Sequence, residues 1–156
     1  MPNVINAANG IVSTADGTSD LNIQTGGTTA VAITSAQRVG IGAATPVARL
    51  DVGGNQAINI VAVAALDIDC SAGNFFTKTI NGNSTFTFSN VPSSRAFAFT
   101  LELVHTSGSV TWPASVVWPN GNLLPSLTTG RTHLFTFVTD NNGTTWRAAS
   151  QINYTS

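Results

Sequence analysis

Charge is scarce in this chain. Six Lys and Arg stand against seven Asp and Glu, 8% of the 156 residues, where soluble domains carry about 25%. The net charge is −1, and the basic residues are scattered, so the clustered Lys and Arg that bind a phosphate backbone are missing and nucleic acid is excluded as a partner. Cysteine occurs once, at Cys70, which rules out an intramolecular disulfide and a thiolate metal cluster. The longest apolar run, Ile60 to Leu66, falls far short of the roughly 20 residues that span a bilayer, so no membrane partner is expected. Met1 to Asn6 carries no positive charge and no apolar core, and no secretory leader is read there. Aromatic residues are absent from the first 74 positions; all eight Phe, three Trp and the single Tyr come at or after Phe75.

In place of charge the chain uses neutral hydroxyls and amides, with 22 Thr, 15 Asn and 14 Ser. In the aromatic-free part, Leu21 and Ile23, Val31 and Ile33, and Val39 and Ile41 alternate with polar or small residues. A period of two over short runs marks half-buried strands. Gly10, Gly17, Gly26-Gly27 and Gly40/Gly42 punctuate them, as tight turns require. Aromatic rings dominate most cores. Without them, a module this small has little of its own to cover an apolar face, and burial between chains is the simplest solution. Thr45 and Pro46 occupy the N-cap and first positions of a single expected helical turn, followed by a short strand at Leu50-Asp51-Val52. Ile58 to Ile68 reads either as a buried strand or as a helix.

From Phe75 the pattern is β throughout. Phe86 and Phe88, then Phe97, Phe99, Leu101 and Leu103, then Phe135 and Phe137 each share a parity, and Asn-Gly, Pro-Ser and Ser-Gly turns separate the runs. Strands at this spacing suggest a sandwich or jelly-roll-like domain.

Two stretches carry a resemblance. Gly10-Ile11-Val12 with Ser19 to Ile33, followed by Gln37-Arg38-Val39-Gly40-Ile41-Gly42-Ala43-Ala44-Thr45-Pro46 and Ala48-Arg49-Leu50-Asp51-Val52, resembles shaft or connector segments of tailed-bacteriophage fibres and other virion structural proteins. It covers residues 10–54. Val110-Thr111-Trp112-Pro113, Val117-Trp118-Pro119-Asn120-Gly121 and Phe135 to Trp146 are more loosely similar to terminal domains of such proteins. The resemblance implies three chains about one axis, with other virion proteins as partners and the virion as location. A single copy of the connector phrase departs from the many repeats of a long fibre. It leaves a short tail fibre or a capsid decoration (cement) protein, the latter slightly favoured by length.

Residues that suggest chemistry are few. Asp67 and Asp69 fall on one face of a strand, as a glycosidase carboxylate pair does, but such pairs are more often solvated strand ends or turn caps. Glu102 opposes the Phe97–Leu103 face and is expected to meet solvent or another chain. His105 and His133 share the parity of their neighbouring core residues. Three copies of one His gathered on a trimer axis would make a metal site, while a hydrogen-bonded strand-end His is the default, and no metal is assigned. Cys70 reads as a small buried residue. Gly40-Ile41-Gly42 lacks the third glycine of a dinucleotide fingerprint, so no cofactor is expected. Trp112, Trp118 and Trp146 are candidates to stack on a host-surface glycan, against the alternative that they fill the core.

The sequence therefore predicts an all-β protein of two parts: a Gly-punctuated attachment and oligomerisation module over residues 1–57, with its connector at 38–54, and a β-sandwich domain over 58–156. The expected protein is a non-enzymatic homotrimer of the virion surface, with Leu21, Ile23, Val31, Ile33, Val39 and Ile41 buried between chains. A glycan-binding fibre tip is the alternative.

Overall fold

A computed structural model describes residues 20–155; the expected turns at Gly10 and Gly17 and the Gly10–Val12 part of the resemblance lie outside them. The protein is all-β, with half of the described residues in strands, and it divides into two compact units between Ala57 and Ile58.

The first unit holds a four-stranded sheet in the order β1 (Leu21–Thr25), β2 (Thr28–Ile33), β3 (Val39–Ile41) and β4 (Leu50–Val52). Gly26 and Gly27 join β1 to β2 at φ 57° and 78°. Two consecutive positive φ values give the two-residue turn whose twist matches a hairpin. β2 and β3 pair antiparallel, β3 and β4 parallel. The connection from β3 to β4 is where the expected helical turn at Thr45-Pro46 fails to form. The Pro46 carbonyl accepts from Arg38 Nη1 at 3.1 Å, and the Val47 amide donates to Asp51 Oδ2 at 2.9 Å. These bonds tie the segment to its neighbours instead of to a following helical turn. Pro46 is buried against Gly40, where an added Cβ would lie 2.0 Å from the Ala43 carbonyl oxygen and 3.4 Å from Pro46 Cβ. Gly40 is thus required by close approach.

The second unit is built on a six-stranded sheet ordered β12 (Val116–Val117), β14 (Trp146–Tyr154), β13 (Arg131–Thr139), β10 (Phe97–Ser107), β7 (Phe75–Asn81) and β5 (Ile60–Ala62). Two short parallel ladders accompany it: β6 (Asp67–Asp69) with β9 (Thr87–Ser89), and β8 (Ser84–Thr85) with β11 (Val110–Thr111). Ile58 to Ile68 resolves into β5 and the start of β6, with no helix between.

The chain leaves the large sheet after β5 for β6, returns for β7, leaves again for β8 and β9, and returns for β10. Parallel neighbours need a crossover connection; here the ladder strands supply it, so β5, β7 and β10 run parallel to one another. The result departs from a jelly roll of antiparallel sheets, because the second layer consists of crossover strands. Phe88 of β9 packs against Phe99, Phe137 and Trp146 with ring centroids 5.1–5.2 Å apart. Phe76, Leu101, Leu103, Phe135 and Trp146 are buried on the same sheet face, in the parity the sequence sets.

At the β13–β14 hairpin, buried Thr139 organises the turn. Its hydroxyl donates to Asn141 Oδ1 at 3.0 Å and accepts from the Gly143 amide at 3.0 Å, while Asn141 Oδ1 also accepts from the Thr145 amide.

Candidate functional site

The strand register of the first unit arranges its aliphatic residues into two rows. Leu21 pairs with Ile33, Ile33 with Val39, and Val39 with Leu50; Ile23 pairs with Val31, Val31 with Ile41, and Ile41 with Val52. Paired residues project to the same side of a sheet, so eight aliphatic side chains form one face, four across and two deep. The intervening row, Asn22, Ala32, Gly40 and Asp51, projects to the other side, where Ala32 and Gly40 are buried.

The aliphatic face is open. Leu21 is 44% exposed, Ile23 53%, Ile33 39%, Ile41 48% and Leu50 61%. Within a unit this small, a sheet normally turns its apolar side inward. Here the buried side is the one with Ala and Gly, and the side with Leu and Ile is left uncovered by the described residues of the unit. Contiguous exposed apolar surface rimmed by neutral residues marks an interaction site. The six residues expected from sequence are brought together on it. Leu50 and Val52 belong with them and were missed as contact residues, although their own alternation around Asp51 was the available signal.

The other candidates resolve differently. Asp67 accepts from Thr87 Oγ1 at 2.6 Å and from the Ser89 hydroxyl. Asp69 accepts from the amide and hydroxyl of Ser71 at 2.9 and 2.6 Å and from Asn90 Nδ2 at 3.0 Å. Hydrogen bonds from the Ser71 hydroxyl, then Asn90, then the Ser71 amide hold the Asp69 carboxyl below its ordinary range. A general acid needs the reverse, a raised pKa. The pair therefore acts as the acceptor set that pins β6 to β9. Cys70 is buried, and burial followed by the charges of Asp69 and Asp67 pushes its thiol up to about 11, the opposite of an activated nucleophile.

Trp118 and Trp146 are 4% and 1% exposed, so their rings belong to the core and are closed to a glycan. Trp112 is half-buried, stacked on Phe86 at 5.2 Å and 19° and edge-on to Phe135 at 4.8 Å. A shallow depression of about 270 Å³, lined by Trp112, Trp118, Asn122 and Leu124 among others, lies over it. His105 and His133 are both buried, which removes them from any axis between chains. Their rings lie 5.6 Å apart. No group of three metal-ligating side chains occurs among the described residues.

Comparison of the chain with family models, curated proteins and solved structures finds no match.

Proposed function

We propose that the chain is a non-enzymatic structural protein of a tailed-bacteriophage virion, assembled as a homotrimer that serves as a capsid decoration protein or a short tail fibre. The observation that carries this reading is the aliphatic face of β1–β4, which needs an apolar partner surface. The resemblance of residues 10–54 to fibre connectors supports the phage context.

The energetics fit an assembly interface. Fully burying an aliphatic side chain contributes about 2 kcal/mol. The five most exposed residues of the face are each roughly half exposed, so covering them contributes about 1 kcal/mol each, on the order of 5 kcal/mol per chain. That is comparable to the freedom lost on association, about 4–15 kcal/mol. The contacts suffice for a specific complex only if most of the face is covered, and one charge within it is enough to undo the balance. Because interface and surface carry little charge, the assembly is expected to tolerate salt.

Location on the particle tests the reading. Antibody raised against the purified chain is expected to label the capsid or tail surface of the phage whose genome encodes it, in electron micrographs of intact virions. Virions that lack the chain by mass spectrometry and remain unlabelled would overturn the proposal.

A further inference from the structure

At one end of the large sheet, two buried histidines form an incomplete chain of hydrogen bonds. His133 Nδ1 accepts from the Asn153 amide at 3.1 Å, so the proton of the neutral ring sits on Nε2. His105 Nε2 lies 2.8 Å from the Gly108 carbonyl oxygen; a carbonyl only accepts, so this ring too carries its proton on Nε2. Neither His133 Nε2 nor His105 Nδ1 has a partner among the described residues. One is a donor, the other an acceptor, and the two rings are neighbours in the same pocket of the core. A buried orphan of either kind is costly, and these two are complementary in kind. The same tautomers disfavour a metal bridge, since a neutral His133 ring whose Nδ1 accepts from Asn153 has no lone pair left at Nε2.

We propose that His133 Nε2–H donates to His105 Nδ1 through one bridging water, completing a relay from the Asn153 amide to the Gly108 carbonyl that latches this end of the domain and is released on acidification. Asn153 sits at the bulge between β13 and β14 with φ 67°, and its side-chain oxygen also accepts from the Thr128 amide at 3.0 Å. The latch therefore holds the end of β14, the 127–129 segment and the turn after β10 together. A proton added to His133 can go only to Nδ1, where it confronts the Asn153 N–H; a proton added to His105 at Nδ1 confronts His133 Nε2–H. Either addition leaves two donors head to head.

The charged residues nearest the pair in the strand register are cations. Arg131 is the register partner of His105 on β13, and Lys78 of β7 pairs with Leu103, one step along the same face. Ile80 stands beside His105 on β7, and Tyr154 of β14 is exposed beside Thr132. Glu102 projects from the opposite face of β10. Asp140 is paired with Arg147, and Asp67 and Asp69 are bound on β6 and β9. Burial first, then the charge of His105, lowers the pKa of His133, while the nearby Thr128 backbone works weakly the other way. With the folded value below the unfolded one, the unfolded chain binds more protons between the two. The stabilisation is complete above the unfolded value of about 6.5 and is lost as pH falls towards the folded value.

Long-range proton–nitrogen NMR on the uniformly labelled full chain tests this. At pH 7.5 both rings are expected as the neutral Nε2–H tautomer. On acidification His133 is expected to take up its proton below the ordinary value, and the Asn153 and Thr128 amides lose exchange protection in the same step. In His133→Phe, urea unfolding is expected to lose the acid-dependent fall in midpoint seen in the natural chain. Overturning results are an Nδ1–H tautomer at His133, or a His133 ring that titrates at the ordinary value while Asn153 stays protected. The NMR readout decides the matter even if the variant does not fold.

Discussion

In residues 58–156 the large apolar side chains point inward: Phe76, Phe99, Leu101, Phe135, Phe137 and Trp146 are all buried. In the four-stranded sheet of residues 20–57 the order is reversed, with Ala32 and Gly40 buried and Leu21, Ile23, Ile33, Ile41 and Leu50 outside. Both regions follow the same period of two, and both place apolar residues on one face. What differs is the supply of a second layer. The larger unit makes its own from the short ladder strands β6, β8, β9 and β11. Among its described residues the smaller one has the Ala43–Pro46 segment, which covers the Gly40 side and leaves the aliphatic side open. A strand pattern fixes which residues share a face; it does not fix which molecule covers them.

This contrast can be broken from either side. The largest effect is expected in the aromatic core: Phe135→Ala should cost about 3–5 kcal/mol and abolish or sharply weaken the cooperative thermal transition of the larger unit, read by near-ultraviolet circular dichroism. Next is Gly40→Ala. Its Cβ would meet the Ala43 carbonyl oxygen at 2.0 Å, so the Ala43–Pro46 segment must shift, at a cost of about 1–3 kcal/mol. Loss of assembly without loss of the aromatic dichroism signal is the expected outcome, measured by light scattering and circular dichroism together.

Thr139→Val should follow at about 1–3 kcal/mol, because the Asn141 and Gly143 amides and Asn141 Oδ1 lose a buried partner; the change appears in the urea midpoint. Cys70 provides a quieter probe of the same unit. With a thiol pKa of about 11, roughly one thiol in a thousand is ionised at pH 8. Alkylation should be slow in the native protein and speed up only when the larger unit unfolds. The smallest effect is expected at Glu102→Gln, on the outer face of β10, within about 0.5 kcal/mol of the natural chain.

Much of this was legible in the sequence. The parity of Phe97, Phe99, Leu101 and Leu103 carries directly into the buried face of β10, and Gly26-Gly27 forms the hairpin turn. Three features were not. The helical turn at Thr45-Pro46 has a good local signal, yet Arg38, Asp51 and Gly40 claim the same segment, and tertiary contacts outweigh a single capping preference. The pairing of Asp67 with Thr87 and Ser89 depends on a ladder between strands about 20 residues apart, which no local pattern reveals. The tryptophans illustrate the same limit: Trp118 and Trp146 read as core rather than ligand platforms on their scarcity alone, and it is packing against Phe135, Phe137 and Phe88 that closes them.

The most direct test of the central claim is native mass spectrometry of the full chain and of its Ile23→Asp/Ile41→Asp variant, which alters the aliphatic face and no residue of the larger unit. A trimer that becomes monomeric in the variant, with the aromatic dichroism unchanged, is the predicted result. A full chain that is already a folded monomer at micromolar concentration would contradict it, since the exposed face of β1–β4 would then not be the surface through which this protein assembles with itself.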